Sequence, residues 1–182
     1  HGTHFYFGDG LPPSAMSCGA DMASVSVHKT GGSLTQSAIL LLGKGIDPNY
    51  VRQIINLTQT TSASYLLMVS LDLARQNLAL HGREFYAKTV EFADYARKEI
   101  NAIGGYYAFG EELCDGKAFY AFDKTKLSVH TRAMGLAGIE VYDLLRDEYD
   151  IQIEFGDIGN ILAIITGGDR ALEIERLLGA LN

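Results

Sequence analysis

The sequence is short of cysteine, of basic runs and of long apolar stretches, and each shortage excludes something. Only Cys18 and Cys114 occur in 182 residues, far apart, so there is no disulfide framework and a reducing cytoplasm is the expected compartment. Lys and Arg number 15 against 22 Asp and Glu, a net charge of −7 with no basic block, so no nucleic-acid partner is expected. The apolar run at residues 38–42 is far shorter than the roughly 20 residues that cross a bilayer, and no secretory leader opens the chain. No membrane association is therefore expected. Repeats and low-complexity tracts are missing too. What is present is core material: 47% of residues are apolar and 20% charged, at a length that suits one domain or a domain and a half. The opening His1-Gly2-Thr3-His4-Phe5-Tyr6-Phe7 reads like the interior of a domain, which gives the expectation of a fragment of a longer chain.

Glycine and proline punctuate the first third of the chain. Alternation predicts a strand over residues 22–27, and the more apolar stretch 37–42 predicts a strand buried on both faces. Asp47-Pro48 is a helix start, an acid at the cap followed by proline, with the helix ending by residue 56. Residues 57–64 read as a polar loop. Two helices follow by apolar spacing, over 64–79 and 83–103, and Gly104-Gly105 stops the second. The last third predicts a strand at 126–130, a helix at 136–148, strands at 151–155 and 160–166, and a helix at 169–181 capped by Asp169. That alternation argues for an α/β layer with mixed strand directions. The expected division is 1–103 and 104–182.

The segment Ser26-Val27-His28-Lys29-Thr30 stands out at the end of a strand and the head of a glycine loop. An apolar strand end desolvates a lysine and favours its neutral amine, which suits imine formation with an aldehyde that carries a phosphate. On these five residues alone, a surface lysine in a turn is the favoured reading. The wider context is more specific. Ser26-Val27-His28-Lys29 continues as Thr30-Gly31-Gly32-Ser33-Leu34-Thr35-Gln36-Ser37, and Leu11-Pro12-Pro13-Ser14-Ala15 and Gly19-Ala20-Asp21 precede it. Thr60-Thr61-Ser62 with Tyr65, Asp123-Lys124-Thr125-Lys126-Leu127, Ile151-Gln152-Ile153-Glu154 and Asn160-Ile161-Leu162 follow in order. Together these resemble the fold-type-I pyridoxal-phosphate enzymes, in particular the bacterial ornithine/lysine/arginine decarboxylases, over nearly the whole chain.

The resemblance implies an α/β fold: the end of a fold-type-I large domain over 1–103, followed by an incomplete smaller α/β domain over 104–182. It implies pyridoxal 5'-phosphate as cofactor, with Lys29 as the lysine that holds it. Ser26 and His28 would sit at the cofactor phosphate, with Thr60 reaching the phosphate of a neighbouring subunit's cofactor. His1 would be the histidine of the family's Asp-Glu-Ala-His motif, close to the cofactor ring. Glu154 resembles the acid that meets a basic amino-acid substrate, arginine, lysine or ornithine, with arginine favoured. The expected reaction is decarboxylation on the way to polyamines, by a homodimer or higher homo-oligomer. The family's ring-nitrogen aspartate, ring-stacking aromatic and phosphate loop lie upstream of its lysine and do not occur here, so the chain by itself is expected to be inactive. An aminotransferase or lyase activity of the same fold type, or an inactive folded piece, are the alternatives.

Other candidates are weaker. His1 and His4 have no third ligand at a fitting spacing, so no metal site is expected. Glu111-Glu112 and Asp147-Glu148 read as solvated acidic faces, and Gly167-Gly168-Asp169 reads as a turn rather than a phosphate cradle. Cys18 and Cys114 read as inert packing residues.

Overall fold

The computed structural model of the chain describes residues 2–182. They fall into two compact units that part inside one helix: residues 2–8 with Pro13–Arg83, and Asp9–Pro12 with Glu84–Asn182. The units thus divide at residues 83 and 84, earlier than the expected 103 and 104.

In the first unit, β1 (Met22–Val25) and β2 (Ile39–Leu42) form an antiparallel pair with Val25 opposite Ile39 and Met22 opposite Leu42. Alternation along β1 turns Ala23 and Val25 inward. The expectation that the second strand is buried on both faces is corrected: its residues are half-buried and Leu40 is exposed, because β2 pairs only with β1 and has one covered face. Between the strands lies α1 (Val27–Thr30), a single turn. The helix α2 (Pro48–Thr58) starts as expected, the Asp47 carboxylate accepting from the Asn49 N–H at 2.9 Å, and runs two residues past its expected end.

The two expected helices are one. The helix α3 (Tyr65–Ile103) is 39 residues long. Residues 80–83 contain no proline, and a lone glycine costs a helix only about 1 kcal/mol against alanine. Gly82 also has a use there: a Cβ at that position would lie 2.6 Å from the Phe7 ring. Gly104 and Gly105 then end α3, at φ of 87° and 76°.

The second unit holds the larger core. Ala93, Ala96 and Ile100 line one face of α3 at helical spacing and pack with Leu127, Val129, Val141, Leu145, Ile161, Ile174 and Leu178. Its sheet has the order β3 (Tyr107–Ala108), β4 (Lys126–His130), β6 (Asn160–Ile164) and β5 (Phe155–Gly156), with α4 (Gly138–Asp147) and α5 (Ala171–Leu181) completing the layer. Every pairing is antiparallel, which corrects the expected mixture of directions. A tight turn joins β5 to β6: the Asp157 carboxylate accepts from the N–H groups of Gly159 and Asn160, both at 2.7 Å, and so short a link permits only antiparallel partners.

Two further expectations are corrected. Residues 151–154 are not a strand. Ile153 points inward and the Glu154 N–H donates to the Leu162 carbonyl at 2.9 Å, so their apolar alternation records burial without a ladder. Asp169 does not cap α5; it accepts from the N–H and hydroxyl of Thr166, while Glu173 accepts from the Arg170 N–H at 2.9 Å. The Asn101 side chain, on α3, brackets Ala108 of β3, its oxygen accepting at 2.8 Å and its amide donating at 3.0 Å.

Candidate functional site

The lysine turn follows from local constraints. Ser26 leaves β1 in extended geometry, Val27 turns inward at 2% exposure, and the chain closes one helical turn. The Gly31 N–H donates to the Val27 carbonyl at 2.6 Å. Only glycine fits there, since a Cβ would sit 2.7 Å from Val27 Cγ1 and 2.9 Å from the Val27 oxygen. With Val27 anchored, Lys29 on the same turn is exposed and His28 is half-buried. The desolvation expected for Lys29 is therefore not supplied by the described residues.

The opening segment clamps this turn at both ends. Thr3 donates its N–H to Thr30 Oγ1 at 3.1 Å and its hydroxyl to the Ser26 carbonyl at 3.3 Å. Ser26 makes no capping bond with its own hydroxyl. His28 Nδ1 lies 2.8 Å from the Ser37 carbonyl oxygen, and Ser37 in turn shares a 2.6 Å hydrogen bond with Ser33. Thr3, Ser33 and Ser37 are residues that sequence reasoning missed. Their only signal was membership of the quoted segments, because each acts on a backbone group or on another hydroxyl.

A hydroxyl, an imidazole and an exposed amine thus arise from four consecutive residues, Ser26 to Lys29. An amine condenses with an aldehyde, and the other two suit an anion. Thr60 belongs to the same unit, in the exposed link between α2 and α3, where its Oγ1 accepts from the Ser62 N–H at 3.1 Å. Glu154 belongs to the other unit and is exposed; it lines a pocket of about 390 Å³ with Asp150, Asp169, Glu173 and Arg176. His1 lies outside the described residues.

The remaining candidates are structural. Lys124 bonds Glu111 at 3.1 Å, Glu112 accepts from the Tyr107 hydroxyl at 2.8 Å, and Arg146 holds Asp147 at 2.7 Å, so these acids are paired rather than simply solvated. Cys18 is exposed, which corrects its expected packing role, whereas Cys114 is half-buried.

Comparison with known proteins places the chain in a family. The pattern of the family described as "Orn/Lys/Arg decarboxylase, major domain" matches residues 1–132. A protein of Halalkalibacterium halodurans named arginine decarboxylase is 46% identical over 100% of this chain, and one of the same name from Bacillus subtilis is 45% identical. The chain spans 37% of the length of each of these two relatives. Among solved structures, a lysine decarboxylase of Francisella novicida superposes over 99% of this chain and 30% of its own, with a TM-score of 0.85 at 18% identity. The constitutive lysine decarboxylase of E. coli covers 88% of this chain and 27% of its own, at a TM-score of 0.72 and 19% identity. The fold is accordingly one shared with lysine decarboxylases and with a phosphoserine aminotransferase, and no helix among the described residues is long and apolar enough to cross a membrane. With its family pattern matched over 132 residues and its own whole length aligned to a relative 46% identical, the chain belongs to the Orn/Lys/Arg decarboxylase family.

Proposed function

We propose that this chain is the cofactor-lysine portion of a pyridoxal 5'-phosphate-dependent decarboxylase of basic amino acids, with arginine as substrate. The observation that carries the reading is the exposed Lys29 on a glycine-limited turn beside Ser26 and His28. The turn's donor set fits a phosphate-bearing aldehyde. Lys29 supplies the amine that holds the cofactor, while Ser26 and His28 face its phosphate; a hydroxyl and an imidazole complement an anion. Pyridoxal phosphate, when bound, supplies the electron sink that accepts the pair released as carbon dioxide departs.

The other assignments belong to the same reading. His1 stands beside the cofactor ring, and Thr60 donates its hydroxyl to the phosphate in a neighbouring subunit of a homo-oligomer. Glu154 meets the guanidinium of the substrate, since a carboxylate pairs with that planar fork through two hydrogen bonds. Arginine is favoured over lysine and ornithine because relatives 45% and 46% identical to this chain carry the name arginine decarboxylase. Residues 1–103 are the end of the large domain and 104–182 an incomplete small one, the domain border falling at the end of α3 while the compact units part at residues 83 and 84 within it.

Borohydride reduction of the full-length protein with pyridoxal phosphate, followed by peptide mapping, tests the central assignment. The phosphopyridoxyl group is expected on Lys29. Recovery on Lys44 or Lys124 instead overturns it.

A further inference from the structure

One hydrogen bond in the lysine turn fixes the chemistry of a ring as well as its place. His28 Nδ1 lies 2.8 Å from the Ser37 carbonyl oxygen. A carbonyl only accepts, so Nδ1 carries the proton, and in the neutral ring Nε2 is a lone-pair acceptor. The carbonyl is itself held firmly. Ser37 is 2% exposed, its hydroxyl donates to the Leu34 carbonyl and bonds the Ser33 hydroxyl, and the Leu34 N–H reaches Ser70 of α3 at 3.3 Å. Immediately before it, Gln36 has φ 59°, a left-handed conformation that a non-glycine residue keeps only when its surroundings impose it. The loop is thus built to aim one carbonyl at one imidazole.

We propose that Ser37, braced by Ser33, is the positioning residue for His28, locking it as the Nδ1–H tautomer so that Nε2 donates to an anion only when the ring is an imidazolium. The inference rests on the reading that this turn holds a phosphate, and it refines that reading. The ring's contribution to the anion is then a positive charge, not a neutral N–H. Ser37 acts through His28, which its backbone carbonyl meets. Ser33, half-buried and one hydroxyl further away, is the place to perturb the brace without removing the carbonyl.

The test uses full-length protein labelled with ¹⁵N-histidine, the His28 signals being assigned by their loss in His28→Gln. Without ligand, His28 should show a protonated Nδ1 and an unprotonated Nε2. Saturation with pyridoxal phosphate should protonate both. Ser33→Ala should give a mixture of tautomers and weaken pyridoxal-phosphate binding about fivefold, as loss of one hydrogen bond would, and Ser33→Thr should restore both. A proton on Nε2 in the unliganded protein overturns the proposal, as does an Nε2 that stays unprotonated in the complex. So does a Ser33→Ala protein with unchanged tautomer and affinity. The two readings fail separately: borohydride labelling of a lysine other than Lys29, with the expected tautomer intact, removes the functional assignment and leaves the positioning role standing.

Discussion

At the first turn of α5 one carboxylate carries the cap. Glu173 accepts from the Arg170 N–H at 2.9 Å and pairs with the guanidinium of the same residue. The Arg170 side chain does most to hold the Glu173 carboxyl down, to about 2 from an ordinary 4.5; burial opposes this and backbone N–H groups add to it. A depressed value in the folded state means that the unfolded chain takes up the proton first as pH falls. The contribution is therefore complete above pH 4.5 and is lost as pH falls towards 2. Amide exchange in the first turn of α5 should accelerate across that window, and Glu173→Gln should make the rate independent of pH there, apart from intrinsic exchange. An unchanged acid response in Glu173→Gln would contradict the assignment. At this scale the sequence was readable where the candidate site is made of side-chain types: Ser26, His28 and Lys29 lie within four residues and meet at one turn. It was not readable where a backbone group acts, as the Ser37 carbonyl does on His28, because no residue type encodes it.

Elements were legible in proportion to how far their period was enforced by burial. The strand β4 has the expected bounds because Leu127 and Val129 alternate inward between paired neighbours on both sides. The union of two expected helices into α3 was hidden because Gly82 looks like a stop, while its purpose is room for Phe7. Close approach of this sort also ranks two substitutions. A Cβ at Gly138 would lie 2.0 Å from the Asn160 carbonyl oxygen, and backbone in a sheet cannot retreat. Gly138→Ala should cost about 3 kcal/mol, the upper part of the overpacking range. Gly82→Ala meets a side-chain ring that turns aside, and its helix gains about 1 kcal/mol from alanine, so its net cost should be about 1 kcal/mol. Urea midpoints of the two variants, at unchanged slope, measure the difference. Equal shifts, or a larger one for Gly82→Ala, would contradict this packing account.

Across the whole molecule, composition announced a core and did not locate it. The 47% apolar content is spent unevenly: the second unit gathers a sizeable cluster, whereas α2 buries no residue and leaves Ile54, Ile55 and Leu57 exposed. The amphipathic rhythm of such a helix is readable from sequence; how far its apolar side is buried is not. The second unit's sheet also ends, at both margins, in strands of two residues, β3 and β5. At β3 the outward N–H and C=O of Ala108 are already occupied by Asn101. Asn101→Ala should therefore lower stability by about 2 kcal/mol, two hydrogen bonds' worth. It should also hasten thioflavin-positive fibre formation under mild denaturant; an unaltered lag time would argue against a guarding role. An exposed strand margin is a template on which foreign chains polymerise. The amide of Asn101 occupies that template at β3, a safeguard against amyloid-like growth carried by a single side chain.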